Sequence, residues 1–196
     1  YINEPLFLYD KFYGFMGYNM TTTNRETLED DITMIKSISK ILTQTIERTE
    51  AFKEIEYLNN HDDLTKTFNR RGFESYIKEV DNSQFYPLGI VAIDLNGLKL
   101  INDSFGHLEG DQMLIKTVEL LDKNLDDSGT LFRVGGDEFV VLITNTDSAS
   151  VYQLFDSIER QCTEVLVSSV QLSLSYGVHV RTSNIAPFYE EFKIAE

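Results

Sequence analysis

The chain has 196 residues, 42% of them apolar and 25% charged, with 17 Lys and Arg against 32 Asp and Glu. That length suits one domain of about 130–150 residues with additional material, or two small domains, and 13 Phe with 10 Tyr exclude collagen-like, disulfide-scaffold and wholly disordered classes. A formal charge of −15 argues against a general nucleic-acid binder, whose phosphate affinity needs clustered Lys and Arg, although a nucleotide accompanied by a divalent metal is compatible with it. The single cysteine, Cys162, leaves no internal disulfide and no sign of an oxidising compartment. Apolar runs such as Leu88–Ile93 and Phe139–Ile143 are too short to cross a bilayer, and Tyr1 begins no secretory signal. These features predict a soluble cytoplasmic chain, a fragment of something longer.

The first twenty residues alternate apolar and aromatic runs, Leu6–Tyr9 and Phe12–Tyr18, and predict two strands joined by a tight turn at Asp10-Lys11. Two strands alone bury no stable core, so they need a partner or the rest of a domain. Thr23 and Glu26 have the spacing of a capping box. From Arg25 to about Leu58 there is no Gly or Pro. One apolar stripe runs through Leu28, Ile32, Ile35, Leu42 and Ile46, and a second through Ile38, Ile41, Phe52 and Ile55. Thr45, Thr49 and Lys53 break strict heptads, so the long helix reads equally as a surface helix of its own domain or as a connector that dimerises.

Stronger patterning starts at Asp62. Phe73, Tyr76, Ile77 and Val80 mark a helix, and Leu88–Asp94 a buried strand after Pro87. Leu114, Val118, Leu121 and Leu125 give a helix from about Leu108. Leu131–Val134 and Phe139–Ile143 form a hairpin around Gly135-Gly136. Val151 through Val165 make another helical stripe, and Val170 to Val180 alternate as one long half-exposed strand. The predicted class is α+β, a mainly antiparallel sheet flanked by helices.

Carboxylates beside buried strands are unfavourable unless they bind a cation or are paired. Asp94 ends one apolar strand and Asp137-Glu138 follow the hairpin glycines. If the strands are neighbours, Asp94 and Asp137 converge at one sheet edge and offer hard oxygen ligands to Mg²⁺, while Gly135 and Gly136 let the backbone approach phosphate oxygens. An ordinary Gly-Gly-Asp turn with solvated acids fits the spacing as well. The segment Lys99–Asp111 gathers a cation, an amide, an imidazole and carboxylates around two glycines. An Asp carboxylate can accept N1–H and N2–H of guanine, and an Asn amide can pair with its edge; each residue alone reads as a cap or a surface group.

Taken together these blocks resemble the GGDEF family, the diguanylate cyclases. Arg133-Val134-Gly135-Gly136-Asp137-Glu138-Phe139 is similar to its name-giving motif. Asp62-Asp63-Leu64-Thr65 with Asn69-Arg70-Arg71-Gly72-Phe73, then Asp94–Lys99 with Asn102-Asp103 to Gly110-Asp111, and finally Ser173–Val178, follow in the family's order over about residues 62–181. The resemblance implies a cyclase or polymerase-palm fold and a homodimer, paired through the connector helix and facing catalytic domains, that makes cyclic di-GMP and two pyrophosphates from two GTP. It implies Mg²⁺ or Mn²⁺ held by Asp94, Asp137, Glu138 and the Leu95 carbonyl. Asp137 would activate the ribose 3′-hydroxyl, with Glu138 and Lys99 completing the catalytic set. Asn102 and Asp111 would read guanine, while His107, Gly135 and Gly136 line the nucleotide.

Three departures qualify that reading. Asn96 stands where many members carry Asp. Asp126-Asp127-Ser128-Gly129 replaces the Arg-x-x-Asp product-inhibition site, so that site is expected to be absent. The chain also stops at Glu196, which places its end before the family's terminal helix. The front segment resembles the last strands and final helix of a GAF sensor, giving a domain reading of 1–24 GAF-like, 25–60 connector and 61–196 GGDEF domain without its last helix. The alternative function is a catalytically inactive receptor of GTP or cyclic di-GMP that controls a partner.

Overall fold

The computed structural model describes residues 2–18, 28–81 and 84–196. It divides into two compact units, Tyr1–Tyr57 and Leu58–Glu196.

In the first unit β1 (Ile2–Leu8) and β2 (Lys11–Tyr18) pair antiparallel. The turn lies one residue earlier than expected: Tyr9 and Asp10 hold its centre at φ 47° and 61°. Two consecutive left-handed residues match the twist of a two-residue hairpin, so Lys11 is already in the strand. The turn is tied to α1 (Leu28–Asn60), because Tyr9 donates its N–H to Glu47 Oε1 at 3.1 Å and its hydroxyl to the Glu47 carbonyl at 3.3 Å. Thr33, Ser37, Thr45 and Thr49 each donate to the carbonyl four residues back, so the helix satisfies these hydroxyls internally. Ile35 is buried, but Ile38, Ile41, Leu42, Phe52 and Ile55 stay exposed. The expected capping box at Thr23 and Glu26 lies outside the described residues.

The second unit continues with β3 (Phe68–Asn69), α2 (Arg70–Val80), β4 (Leu88–Leu95), α3 (Leu98–Phe105) and α4 (His107–Asn124). Then come β5 (Gly129–Arg133), β6 (Glu138–Ile143), α5 (Ser148–Cys162), β7 (Leu166–Val167), β8 (Val170–Gln171), β9 (Leu174–Arg181) and α6 (Phe188–Ala195). Five strands form one sheet in the order β3-β5-β6-β4-β9. Only the β3–β5 pair is parallel, so the architecture is α+β with a mainly antiparallel sheet.

Strand β4 sits inside the sheet, between β6 and β9, and its parity sets both faces. Val91, Ile93 and Leu95 point toward a core shared with Ile101 of α3, Met113 and Leu121 of α4, and Phe155 and Ile158 of α5. Leu88 and Ile90 join the opposite core with Phe73 and Ile77 of α2 and Phe188 and Ala195 of α6, and Ala92 packs against it. Each fully buried aliphatic side chain contributes about 1.5–3 kcal/mol, and these two cores hold the sheet rigid beneath the β4–β6 ends.

Three elements differ from the sequence reading. The long strand expected from Val170 is two pieces, because β8 pairs with β7 across the Ser168-Ser169 turn and Leu172 still donates its N–H to the Val165 carbonyl at 2.9 Å. From Ser173 on the chain pairs with β4 instead, and the Asn96 N–H at the end of that strand donates to the Ser173 carbonyl at 2.9 Å. Helix α3 occupies a stretch read only for its chemistry. Helix α6 follows Pro187, with Phe188, Phe192 and Ala195 turned to the sheet.

Candidate active site

The antiparallel register of β4 and β6 sets Asp94 directly opposite Glu138. The Leu95 N–H donates to the Asp137 carbonyl at 2.9 Å, which makes Leu95 and Asp137 the hydrogen-bonded pair and leaves Asp94 and Glu138 as the closer-spaced non-hydrogen-bonded pair. Strand parity carries Asp94 onto the same face as Ala92, beneath α2 and α6. Both carboxylates are exposed and, among the described residues, neither belongs to an ion pair; the domain's ion pairs are Arg70 with Glu74, Arg133 with Asp62, Arg181 with Asp81 and Glu191, and His179 with Glu191. Two like charges held opposite each other and, among the described residues, outside any ion pair fit a divalent metal by the chemistry of their hard oxygen donors. No group of three or more acidic, His or Cys side chains is already gathered to hold one among the described residues.

The hairpin turn is held from outside. Arg133 donates from Nε and Nη2 to the Gly136 carbonyl at 3.3 and 2.7 Å, and from Nη1 to Asp62 Oδ1 at 2.9 Å. Asp62 also accepts from the Thr65 N–H and hydroxyl, both at 2.8 Å. Burial alone would raise the Asp62 pKa, but these hydrogen bonds and the guanidinium outweigh it and hold the carboxyl below its ordinary value. The entry motif and the Gly-Gly turn are therefore one structural unit.

Gly135 leaves room for a functional side chain. A Cβ there would overlap Glu138 Oε2 and lie 3.0 Å from its Cδ, whereas a Cβ on Gly136 meets nothing within 4 Å. Gly135→Ala is thus expected to displace the Glu138 carboxylate from its place against the turn and lower turnover about 30-fold, with a melting temperature close to wild type. Gly136→Ala, which meets open space, is the comparator for the fold. Equal turnover in Gly135→Ala and wild type, measured as product formed per minute, would show that Glu138 does not need this position.

The second cluster lies on the α3–α4 corner. β4 passes into α3 through Asn96 and Gly97, the latter at φ 81°. Gly106, at φ 92° and ψ 164°, both ends α3 and starts α4. Asn102 and Asp111 are half-buried on the two helices, while Lys99 and His107 are exposed in the first turns of α3 and α4. Asn96 turns away to β9: its Nδ2 donates to Ser173 Oγ at 3.1 Å and Ser175 Oγ at 3.0 Å. Its amide therefore fastens the ends of β4 and β9.

A cleft of about 550 Å³ opens beside the carboxylates, lined by Asp94, Glu138, Ser175, Tyr189, Phe192 and Lys193 among others. That volume lies within the ordinary range for small-ligand sites. Asp137, Lys99, Asn102, His107 and Asp111 do not line it, so of the predicted side chains the structure sets Asp94 and Glu138 against the cleft and leaves the others outside it. The sequence reading missed the α6 wall of this cleft, although the spacing of Phe188, Phe192 and Ala195 (i, i+4, i+7) carried the signal. It also left His179 without a role; the ring lies 3.0 Å from Glu191 Oε2. Cys162 is buried as expected, and burial pushes its thiol up to about 11, an unreactive state.

The model of the diguanylate cyclase GGDEF domain matches residues 59–190. The chain is 37% identical over 134 residues to the probable diguanylate cyclase DgcI of Escherichia coli, covering 68% of this chain and 28% of that protein. It is 27% identical over 184 residues to the diguanylate cyclase DosC of Shigella sonnei, covering 88% of this chain and 40% of that protein. It thus spans well under half the length of either relative. Among solved structures, the coiled coil and GGDEF domain of DgcB from Caulobacter crescentus, in complex with c-di-GMP, superposes with a TM-score of 0.75 at 16% identity, covering 83% of this chain and 90% of that one. With the motif turn, the facing acids and the sheet order all in place, the chain belongs to the GGDEF family of diguanylate cyclase domains.

Proposed function

We propose that this domain condenses two GTP into cyclic di-GMP and two pyrophosphates, as half of a homodimer in which each subunit presents one nucleotide to the other. The observation that carries the reading is the opposition of Asp94 and Glu138 at the ends of two neighbouring strands, within a domain whose family is shown. In the reaction a 3′-hydroxyl of one GTP attacks the α-phosphorus of the other, the O–P bond to pyrophosphate breaks, and the hydroxyl proton leaves to a base. Asp137 is the residue assigned to that proton. Asp94 and Glu138, with Asp137 and the Leu95 carbonyl, would hold Mg²⁺ or Mn²⁺, whose chemistry is to neutralise phosphate charge. Gly97 caps α3 without a side-chain hydrogen bond, leaving first-turn N–H groups to face phosphate oxygens, and Lys99 in the same turn adds a positive charge. Asn102 and Asp111 read the guanine edge, with His107 beside them.

The exposed row Ile38, Ile41, Phe52 and Ile55 on α1 is the face through which two copies would pair. A lone subunit brings one GTP and no second phosphate to attack, so turnover requires that pairing. The hairpin and helix ahead of residue 61 are read as the end of a GAF-like sensor and its connector. No described helix is long and apolar enough to cross a membrane.

The test is incubation of the purified dimer with GTP and Mg²⁺, followed by chromatography for cyclic di-GMP and pyrophosphate. Formation of both in a one-to-two ratio is the expected result. Nucleotide binding without turnover in a dimeric sample would assign a receptor instead. Base choice gives a second measurement. Asp111→Ser removes the acceptor for guanine N1–H and N2–H, so the preference for GTP over ATP is expected to fall by about 2 kcal/mol, roughly 30-fold. Unchanged discrimination would move base reading to another residue.

A further inference from the structure

Gly110 lies in the first turns of α4, in regular helical backbone without a positive φ, and is buried. Helix interiors disfavour glycine because of its backbone freedom, so its presence there needs a packing reason. The structure supplies one. A Cβ on Gly110 would overlap Asn102 Oδ1, lie 2.9 Å from Asn102 Cγ and 3.3 Å from its Nδ2. The whole terminal amide of Asn102 therefore rests on the bare backbone of α4. Gly106 makes the approach feasible: its N–H donates to the Asn102 carbonyl at 3.0 Å and its carbonyl accepts from the Glu109 N–H at 3.1 Å. The chain thus folds α4 back on α3 through a single residue. Asp111, the next residue along α4, is half-buried beside this seat.

We infer that Gly110 is a specificity-determining positioning residue, which seats the Asn102 amide next to Asp111 so that the two side chains present one guanine-reading edge. The inference rests on the base-reading role proposed for Asn102 and adds a residue that never touches the nucleotide. Any side chain at 110 lifts the amide from its seat and misaligns the pair, while leaving the phosphate and metal groups of Asp94 and Glu138 in place. The effect should therefore fall on guanine affinity and leave binding of ATP nearly unchanged.

Three variants of the whole chain test this: Gly110→Ala, Asn102→Ala, and the two combined. The probes are α,β-methylene analogues of GTP and ATP, which bind without releasing pyrophosphate, titrated in Mg²⁺ by calorimetry. Each single variant is expected to weaken the guanine analogue about tenfold and the adenine analogue less than twofold, a size typical of one misplaced base contact. The combined variant is expected to be no weaker than Asn102→Ala alone, because Gly110 acts only through Asn102. Additive losses, or a Gly110→Ala chain that discriminates like wild type while Asn102→Ala does not, would overturn the seat alone. An inert Asn102→Ala would overturn the seat together with the base-reading role beneath it. If Gly110→Ala lowers the melting temperature, shortening Asn102 in the same chain should restore it; a combined variant as unstable as the single one would also count against the seat.

Discussion

Neutralising either carboxylate at the strand ends, Asp94→Asn or Glu138→Gln, is expected to lower cyclic di-GMP formation by about 10³-fold or more while slightly raising the domain's thermal stability. The two effects have opposite signs because they come from one arrangement. Asp94 and Glu138 face each other in a non-hydrogen-bonded pair, where side chains approach most closely and like charges destabilise by a few tenths of a kcal/mol up to about 1. Removing one charge relieves that repulsion. It also removes half of the hard-oxygen pair that would hold a divalent ion against nucleotide phosphates, and phosphoryl transfer depends on charge neutralisation more than on any covalent role of the protein. Mg²⁺ added without nucleotide should raise the melting temperature of wild type and leave both variants unmoved. Asp137→Ala should also stop turnover and keep the fold, since the backbone of Asp137 holds its place through the Leu95 N–H. Wild-type rates in Asp94→Asn and Glu138→Gln, or variants less stable than wild type, would show that the pair is structural.

Much of this arrangement was legible in the chain. Leu88–Asp94 reads as a strand because nearly every side chain in it is apolar, and the structure buries Leu88, Ile90, Val91 and Ile93 almost completely. The glycines before Asp137 mark a hairpin, and a hairpin fixes which residue of β6 lies beside which residue of β5. The partner of Asp94 was a different matter. β4 and β6 are separated by two helices and another strand, so their register is set by the match of two apolar faces and carries no local signal. The sequence reading therefore joined Asp94 to Asp137, and the structure faces it with Glu138, one residue on. Helix α3 was hidden for another reason: its apolar spacing, Leu98, Ile101 and Phe105, runs for barely two turns of an eight-residue helix, too short a window to tell a helix from a loop. Its shape comes from the glycines at both ends. The break before β9 was hidden by an alternation that runs on through Leu172, although Leu172 still bonds back to Val165 and the chain passes to β4 only from Ser173.

The largest loss of stability is expected at a residue that no local pattern singles out. Arg181 ends β9 with 1% of its surface exposed. Its Nε and Nη2 donate to the two oxygens of Asp81 at 2.7 and 3.1 Å, and Nη2 also to the Ala186 carbonyl at 2.8 Å. Its Nη1 lies 2.9 Å from Glu191 Oε1, out of line for a hydrogen bond, and Glu191 turns its other oxygen to His179. Tyr86 donates its hydroxyl to Asp81, and burial together with that carboxylate raises the tyrosine above its ordinary pKa. Burial works against the Arg181 charge as well, but Asp81, Tyr86 and Glu191 outweigh it and hold the guanidinium protonated. One cation thus joins the end of α2, the last strand and α6, three of the elements that line the cleft. Arg181→Met leaves Asp81 half-buried and short of its cation, and is expected to cost about 3 kcal/mol, a fall of roughly 10 °C in melting temperature for a domain of this size. Arg181→Lys keeps the charge without the fork and should recover only part of the loss. Replacing both ends, Arg181→Met with Asp81→Leu, should be less damaging than Arg181→Met alone, because a buried pair removed together leaves no orphaned charge. If the double variant is instead the weaker of the two, the stability comes from the other contact of the Asp81 carboxylate, the hydrogen bond from the Tyr86 hydroxyl, and the cross-link to α6 contributes little.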